Sequence, residues 1–204
     1  MAVLTLAAVN DDLRLDPPPA AVRQAFWLAA IGLLLILAKT VAGATLLAGF
    51  DDTYQAIKPS NPFDVGDEVA DAIELRLTVA VLLGAALTPL LGLATAAVAR
   101  RADTSRGLVG VLALVAGGAL VLGVVFSPEN AASPFDAASL AWLETLIPAW
   151  FQTLSSVAVF GVVLLFGVAF LRMGRPAAAG YYQDYDPDAR WGGYGSWLDL
   201  LRRG

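Results

Sequence analysis

The sequence has no cysteine and no histidine. The first absence excludes disulfides, thiolate metal sites, iron–sulfur ligation and cysteine nucleophiles. The second removes imidazole general bases, histidine-ligated haem and most zinc or copper sites. No cofactor is expected from what remains. Charge is scarce as well, at 15% of residues, against ~25% in ordinary soluble domains. What is abundant is apolar side chain: 58% of the 204 residues are hydrophobic, and mean hydropathy is +0.68. A soluble globule of one-domain length cannot hide that much apolar surface, so the lipid bilayer is the expected solvent.

Four runs reach the roughly 20 residues needed to cross a bilayer: Gln24–Phe50, Leu77–Ala99, Gly107–Phe126 and Thr145–Leu171. Lys39 interrupts the first, and the other three carry no charge. A soluble four-helix bundle would show a polar stripe at the helical period, and none of these runs does. The expected fold is all-α, an integral membrane four-helix bundle with short outer interfacial helices. Residues 1–23 form a cytoplasmic N-terminal segment, 24–175 the transmembrane domain and 176–204 a cytoplasmic tail.

Basic residues set the orientation. Ten lie on one side, in the N-terminal segment, the turn holding Arg100, Arg101 and Arg106, and the C-terminal segment. The two other loops hold only Lys58 and Arg76, beside ten acids. A multi-pass protein of the cell membrane with both termini cytoplasmic follows. Met1–Val9 is too short for a signal-peptide core and is followed by Asp11 and Asp12, so the first span is expected to remain as a signal anchor. Pro17-Pro18-Pro19 is a stiff spacer before it.

Net charge is −5, with the acids concentrated in the outer loops, and arginine outnumbers lysine 11 to 2. This is a halophilic, haloarchaeal-like composition, in which an acidic surface keeps protein soluble. An acidic outer face argues against nucleic acid as a partner, because phosphate binding needs clustered Lys and Arg. The turn arginines read instead as topology determinants and headgroup contacts.

Asn61-Pro62-Phe63-Asp64 recurs as Ser133-Pro134-Phe135-Asp136. Each reads as a helix start, with a good N-cap, proline at N1 and an acid at N3. The chain can be read as two parallel copies of span–outer helix–span; chance recurrence of a common helix opener is the alternative. Phe135, Trp142, Leu143 and Trp150 read as aromatic anchors at the mouth of the fourth span, and Phe26 and Trp27 at the inner end of the first. Gly84, Thr88 and Gly92 make a thin face on the second span, and the third adds Gly110, Gly117, Gly118 and Gly123; such faces drive helix packing in lipid. At Thr88-Pro89 the threonine hydroxyl can satisfy a carbonyl that proline frees. From Tyr181 onward the tail holds four of the five tyrosines and two of the five tryptophans, a composition without a core of its own that suits either docking to a partner or a disordered tail that is merely tolerated.

Reaction chemistry is nearly absent. No phosphate-binding loop or nucleophile elbow occurs, and no carboxylate lies inside a span. The acids Asp64, Asp67, Glu68, Asp71 and Glu74 lack the spacing of a calcium loop and read as a solvated helix face. A serine–lysine pair of Lys39 with Ser155 or Ser156 is formally possible but has no local support. An enzyme is not expected.

Lys39 is the one charge in any span. A lysine at a helix centre costs about 2.5–3.5 kcal/mol on insertion scales, which tilting and snorkelling can lower. It shares a face with Gly32, Ile36, Ala42, Gly43 and Leu46, while Ala30, Leu34, Leu37, Val41 and Ala44 lie opposite. The small residues turn its face toward the bundle. Thr88, Gln152 and Ser155 are the intramembrane polar candidates to meet it. It either lines a polar pocket for an anion or a proton or snorkels to set helix depth. The expected role is a structural or accessory subunit acting through helix packing and its tail, with other membrane subunits or a second copy as partners. A transporter or channel component with a polar pathway past Lys39 is the alternative.

Two measurements check these expectations. Cysteines introduced at Ser60 or Ser133 should react with an impermeant reagent in intact cells; protection there, with labelling at Ser196, inverts the topology. If the acidic surface is a salt adaptation, the purified protein should lose monodispersity when salt falls from molar to physiological levels, as the Debye length grows from ~3 to ~8 Å.

Overall fold

The structure, a computed structural model, describes residues 18–63, 67–99, 104–176, 178 and 181. The described residues are helical and contain no strand. Six α-helices follow one another: α1 (Ala20–Ala48), α2 (Phe50–Ile57), α3 (Glu68–Ala99), α4 (Thr104–Val125), α5 (Ala137–Leu146) and α6 (Ala149–Met173). Short 3-10 turns, Lys58–Ser60 and Pro128–Asn130, open the connections from α2 to α3 and from α4 to α5. Helices α1, α3, α4 and α6 are long and apolar enough to cross a membrane. Their outward faces carry large apolar side chains, such as Leu114 at 79% and Phe160 at 71% exposure, far more than a water-soluble surface presents. Both features support a multi-pass membrane protein.

Local chemistry sets where each long helix begins. Pro18 and Pro19 bar helix upstream of Ala20, and the Pro19 carbonyl accepts from the N–H groups of Val22 and Arg23. At Gly49 the backbone leaves helical geometry, so Phe50 belongs to α2 and not to the first span. Helix α3 starts at Glu68, nine residues before the apolar run at Leu77. No breaker separates the two, so hydrogen bonding carries the helix through Glu68, Asp71, Glu74 and Arg76. The fourth run divides at Ile147-Pro148: Thr145 and Leu146 end α5, and α6 starts on the Pro148 carbonyl, which accepts from Phe151 and Gln152.

The recurring motif opens its helices differently from the expected pattern. In the second copy Asp136, not Ser133, is the N-cap. Its carboxylate accepts from the Ser139 N–H at 2.7 Å, and the Ser139 hydroxyl accepts from the Asp136 N–H at 3.0 Å, a reciprocal capping box. Ser139 is fully buried in doing so. In the first copy Asn61 Oδ1 accepts from the Phe63 N–H at 2.9 Å; Asp64 lies outside the described residues. The two motifs nevertheless meet, with the Phe63 and Phe135 rings edge-to-face at 5.5 Å.

Helix α1 packs on α3 and α6, and α4 packs on the same two, so the four long helices form a ring with α1 and α4 diagonal. Glycines let the α1 seams close. The Phe166 ring lies over Gly32 so tightly that an added Cβ would come within 2.8 Å of it. At Gly84 an added Cβ would collide with the Thr40 hydroxyl, which donates to the Ile36 carbonyl at 2.7 Å. Gly92, on the same expected thin face, has open space where a Cβ would stand. Of the two glycines, Gly84 is the one that packing requires. The Thr88 hydroxyl donates to the Gly84 carbonyl at 2.8 Å, whereas the carbonyl that Pro89 frees is that of Ala85, four residues back. The helix runs on through Pro89.

A Gly84→Leu substitution should therefore cost about 1–3 kcal/mol or more through overpacking, lowering the melting temperature in detergent by ~5 °C or more. Gly92→Leu should leave it unchanged within error. Equal melting of the two variants would show that the Thr40–Gly84 approach is not a constraint.

Candidate functional site

Two places gather polar side chains: a void beside Lys39, and a cap over the end of α1 and the start of α3. Lys39 stands nine residues before the end of α1, ~14 Å along the axis. It is half-buried, on the side of α1 where Gly32, Ile36 and Gly43 are buried, whereas Leu34 and Val41 point outward. It borders a void of about 50 Å3 together with Ser127, Ser155 and Ser156, closed on another side by Val159 and Phe160. That volume has room for a few water molecules.

Ser155 and Ser127 are both buried. Ser127 follows the end of α4, where its N–H donates to the Val124 carbonyl at 3.2 Å. Its own carbonyl accepts from Arg76 Nη1 of α3 at 3.3 Å. A cation at a helix C-terminus meets the negative end of the helix dipole, so Arg76 is electrostatically well placed there. Lys39 and Ser155 thus line one void. Thr88 and Gln152 do not: Thr88 is bonded along its own helix, and Gln152 Nε2 donates to the Ile147 carbonyl at 3.0 Å, bracing the break before α6. Sequence reasoning placed Arg76 and Ser127 in the loops and missed their approach. The signal was present in Ser127-Pro128, where proline stops α4, and in the unbroken helix propensity from Glu68 to Arg76.

The cap is built from α2, the Lys58–Ser60 turn, the start of α3 and α5. The Tyr54 hydroxyl donates to Asp67 Oδ1 at 2.5 Å, and Lys58 Nζ reaches Asp67 Oδ2 at 2.6 Å. The ammonium also lies 5.6 Å from the centre of the Tyr54 ring, within cation–π range. These bonds, that of Lys58 first and that of Tyr54 second, hold the Asp67 carboxyl below its usual range. The bond to Asp67, followed by burial, pushes the Tyr54 hydroxyl up to about 12. Lys58 and Asp67 are about half exposed, so the ion pair itself adds little stability. Trp142 was expected as an anchor at the span mouth, but it is buried, edge-on to Tyr54 and Phe63, with Nε1 3.4 Å from the Ile57 carbonyl. Its indole N–H found a partner inside the cap, and burial followed. Phe135 and Trp150 do face outward.

Among the described residues no group of three or more acids could hold a metal ion. Asp67 is engaged as above, Glu68 and Asp71 are exposed and Glu74 is half-buried. Comparison with family models, with curated proteins and with solved structures found no match to this chain.

The cap predicts two titrations. A lowered carboxyl stabilises the fold above its ordinary value, and that contribution disappears as pH falls through the lowered one. A raised tyrosine works at the other end: the unfolded chain ionises first, so stability falls between pH 10 and about 12. Tyrosinate absorbance should show one late step in the wild type that Tyr54→Phe removes. A titration in which every tyrosine ionises near 10 would contradict the Tyr54–Asp67 bond.

Proposed function

We propose that this chain is a multi-pass protein of the cell membrane, with both termini cytoplasmic and the cap at the outer headgroup boundary, serving as a structural or accessory subunit. It acts through helix packing and through its C-terminal tail, of which residues 182–204 lie outside the described structure. The observation that carries this reading is how little polar chemistry the long helices leave open. Thr40, Thr88 and Thr95 each donate to a carbonyl of their own helix, and the void at Lys39 holds about 50 Å3. That is too small for an acyl substrate, and a serine–lysine hydrolase also needs oxyanion donors and an entry path. The outward-facing Phe135 and Trp150 suit the headgroup region.

One observation favours a second reading, a transport or channel component: Lys39, Ser127, Ser155 and Ser156 border the same void, and intramembrane charge commonly marks an ion path. Reconstitution separates the two. The accessory reading expects liposomes carrying the purified protein to match empty liposomes across a panel of monovalent ions. It also expects native gels of membrane extracts to show a stoichiometric assembly that deletion of 182–204 disperses. Ion flux that Lys39→Met abolishes in a fully assembled protein would establish the second reading and overturn the first.

A further inference from the structure

Where α4 ends decides what stands beside Lys39. The helix stops at Val125, and Ser127 leads into the 3-10 turn Pro128–Asn130. Ser127 and Lys39 border one void, so the lysine faces the polar end of α4 and not a further apolar turn. Two hydroxyls at this place stand apart from the rest. Thr40, Thr88 and Thr95 each donate to a carbonyl of their own helix. Ser155 is 5% exposed and Ser127 6%, yet among the described residues no group hydrogen-bonds to either hydroxyl. A hydroxyl left buried and unbonded is costly, and folded proteins satisfy nearly all such groups with protein or with ordered water.

The surroundings discriminate between occupants. A metal cation would lie beside the Lys39 ammonium. An anion would gain the ammonium but face the C-terminal end of α4, whose Gly123 and Val124 also border the void and which carries the negative end of the helix dipole. Arg76 is already engaged at the Ser127 carbonyl. Water meets neither objection, because each molecule both accepts and donates and needs two to four polar partners. Lys39, Ser127, Ser155 and Ser156 supply them. Size agrees: about 50 Å3 is several times the ~10–15 Å3 that one water requires and far below the ~300 Å3 of small-molecule sites.

We propose that this void is a binding site for a small cluster of water molecules, which bridges the Lys39 ammonium to the Ser127 and Ser155 hydroxyls. The cluster cross-ties α1, the end of α4 and α6, and it links through solvent the two helices that stand diagonal in the ring. It keeps the lysine charge hydrated below the end of α1, whether or not the chain conducts ions. The proposal rests on reading the four long helices as membrane spans, which recovery of the protein in the membrane fraction tests separately.

The chain has two lysines, Lys39 and Lys58, so their side chains can be told apart by solid-state NMR. The test uses the full chain carrying isotope-labelled lysine and methionine in vesicles of perdeuterated phosphatidylcholine, with Lys58→Arg to assign the lysine signals. Magnetisation from water should reach the Lys39 side chain nearly as fast as that of Lys58, and far faster than that of Met173, which is wholly buried. Ser155→Val replaces the hydroxyl with methyl groups that fill part of the void. Transfer to Lys39 should then fall toward the Met173 level while Lys58 is unchanged, and Ser155→Thr, which keeps the hydroxyl, should retain it. A wild-type Lys39 coupled to water no better than Met173 overturns the proposal without any variant. So does transfer that Ser155→Val leaves undiminished, because the water would then lie elsewhere along the side chain. Replacing chloride by gluconate, or sodium by choline, at equal ionic strength should move neither the Lys39 signals nor the melting temperature. A shift specific to one of those ions makes the occupant an ion and overturns the proposal as well.

Discussion

The arrangement depends on how closely α1 approaches its two neighbours. In hydrocarbon, apolar side chains gain nothing by leaving solvent, so helices associate through van der Waals contact at short range. Gly32 beneath Phe166 and Gly84 beneath Thr40 supply that range on two neighbouring faces of α1. Because α1 is held on both of these faces, the small and charged residues on its inward side have fixed surroundings. Lys39 borders the same void as Ser155 for that reason. Helix α4, across the ring, closes on Phe170 through Gly110 and on Leu83 through Gly123 but leaves Gly107 and Gly118 open, which is why the bundle is tight on one side and troughed on the other.

The cap obeys a different physics. Here polar groups are plentiful, and aromatic burial and directional hydrogen bonds do the organising. Phe50, Tyr54, Ile73, Trp142 and Phe151 form a second core separate from that of the long helices. Tyr54 bonds the start of α3 through Asp67, while the indole of Trp142 ties α5 to the end of α2. The chain therefore has two cores, one governed by close backbone approach and one by aromatic packing.

Much of this was legible in the sequence, and the limits were physical. Apolar runs mark where a chain can lie in lipid, and each of the four long helices contains most of one of them. Such runs do not mark where a hydrogen-bonded helix stops. Hence α3 extends over its charged first turns, and Pro148 divides the fourth run. A choice between two good N-caps also escapes local reading: Ser133 and Asp136 are both suitable, and the reciprocal bond with Ser139 decides for Asp136. The inward face of Lys39 could be drawn from the small residues beside it. Its shared void with Ser127 could not, because that depends on where α4 ends relative to α6. Trp142 looked like an anchor because composition near a span mouth cannot tell an indole facing lipid from one whose N–H has found a carbonyl.

The meeting of Phe63 and Phe135 has a mechanical consequence. Those residues belong to the connection from α2 to α3 and to the connection from α4 to α5, which lie at the same end of the bundle. Their contact, reinforced by Trp142 against both Tyr54 and Phe63, buckles the two halves together at one end. At the other end the Phe170 ring of α6 lies over Gly110 of α4. Parting of the two halves of the chain is therefore hinged at the clasped end, as the jaws of a clothes-peg are.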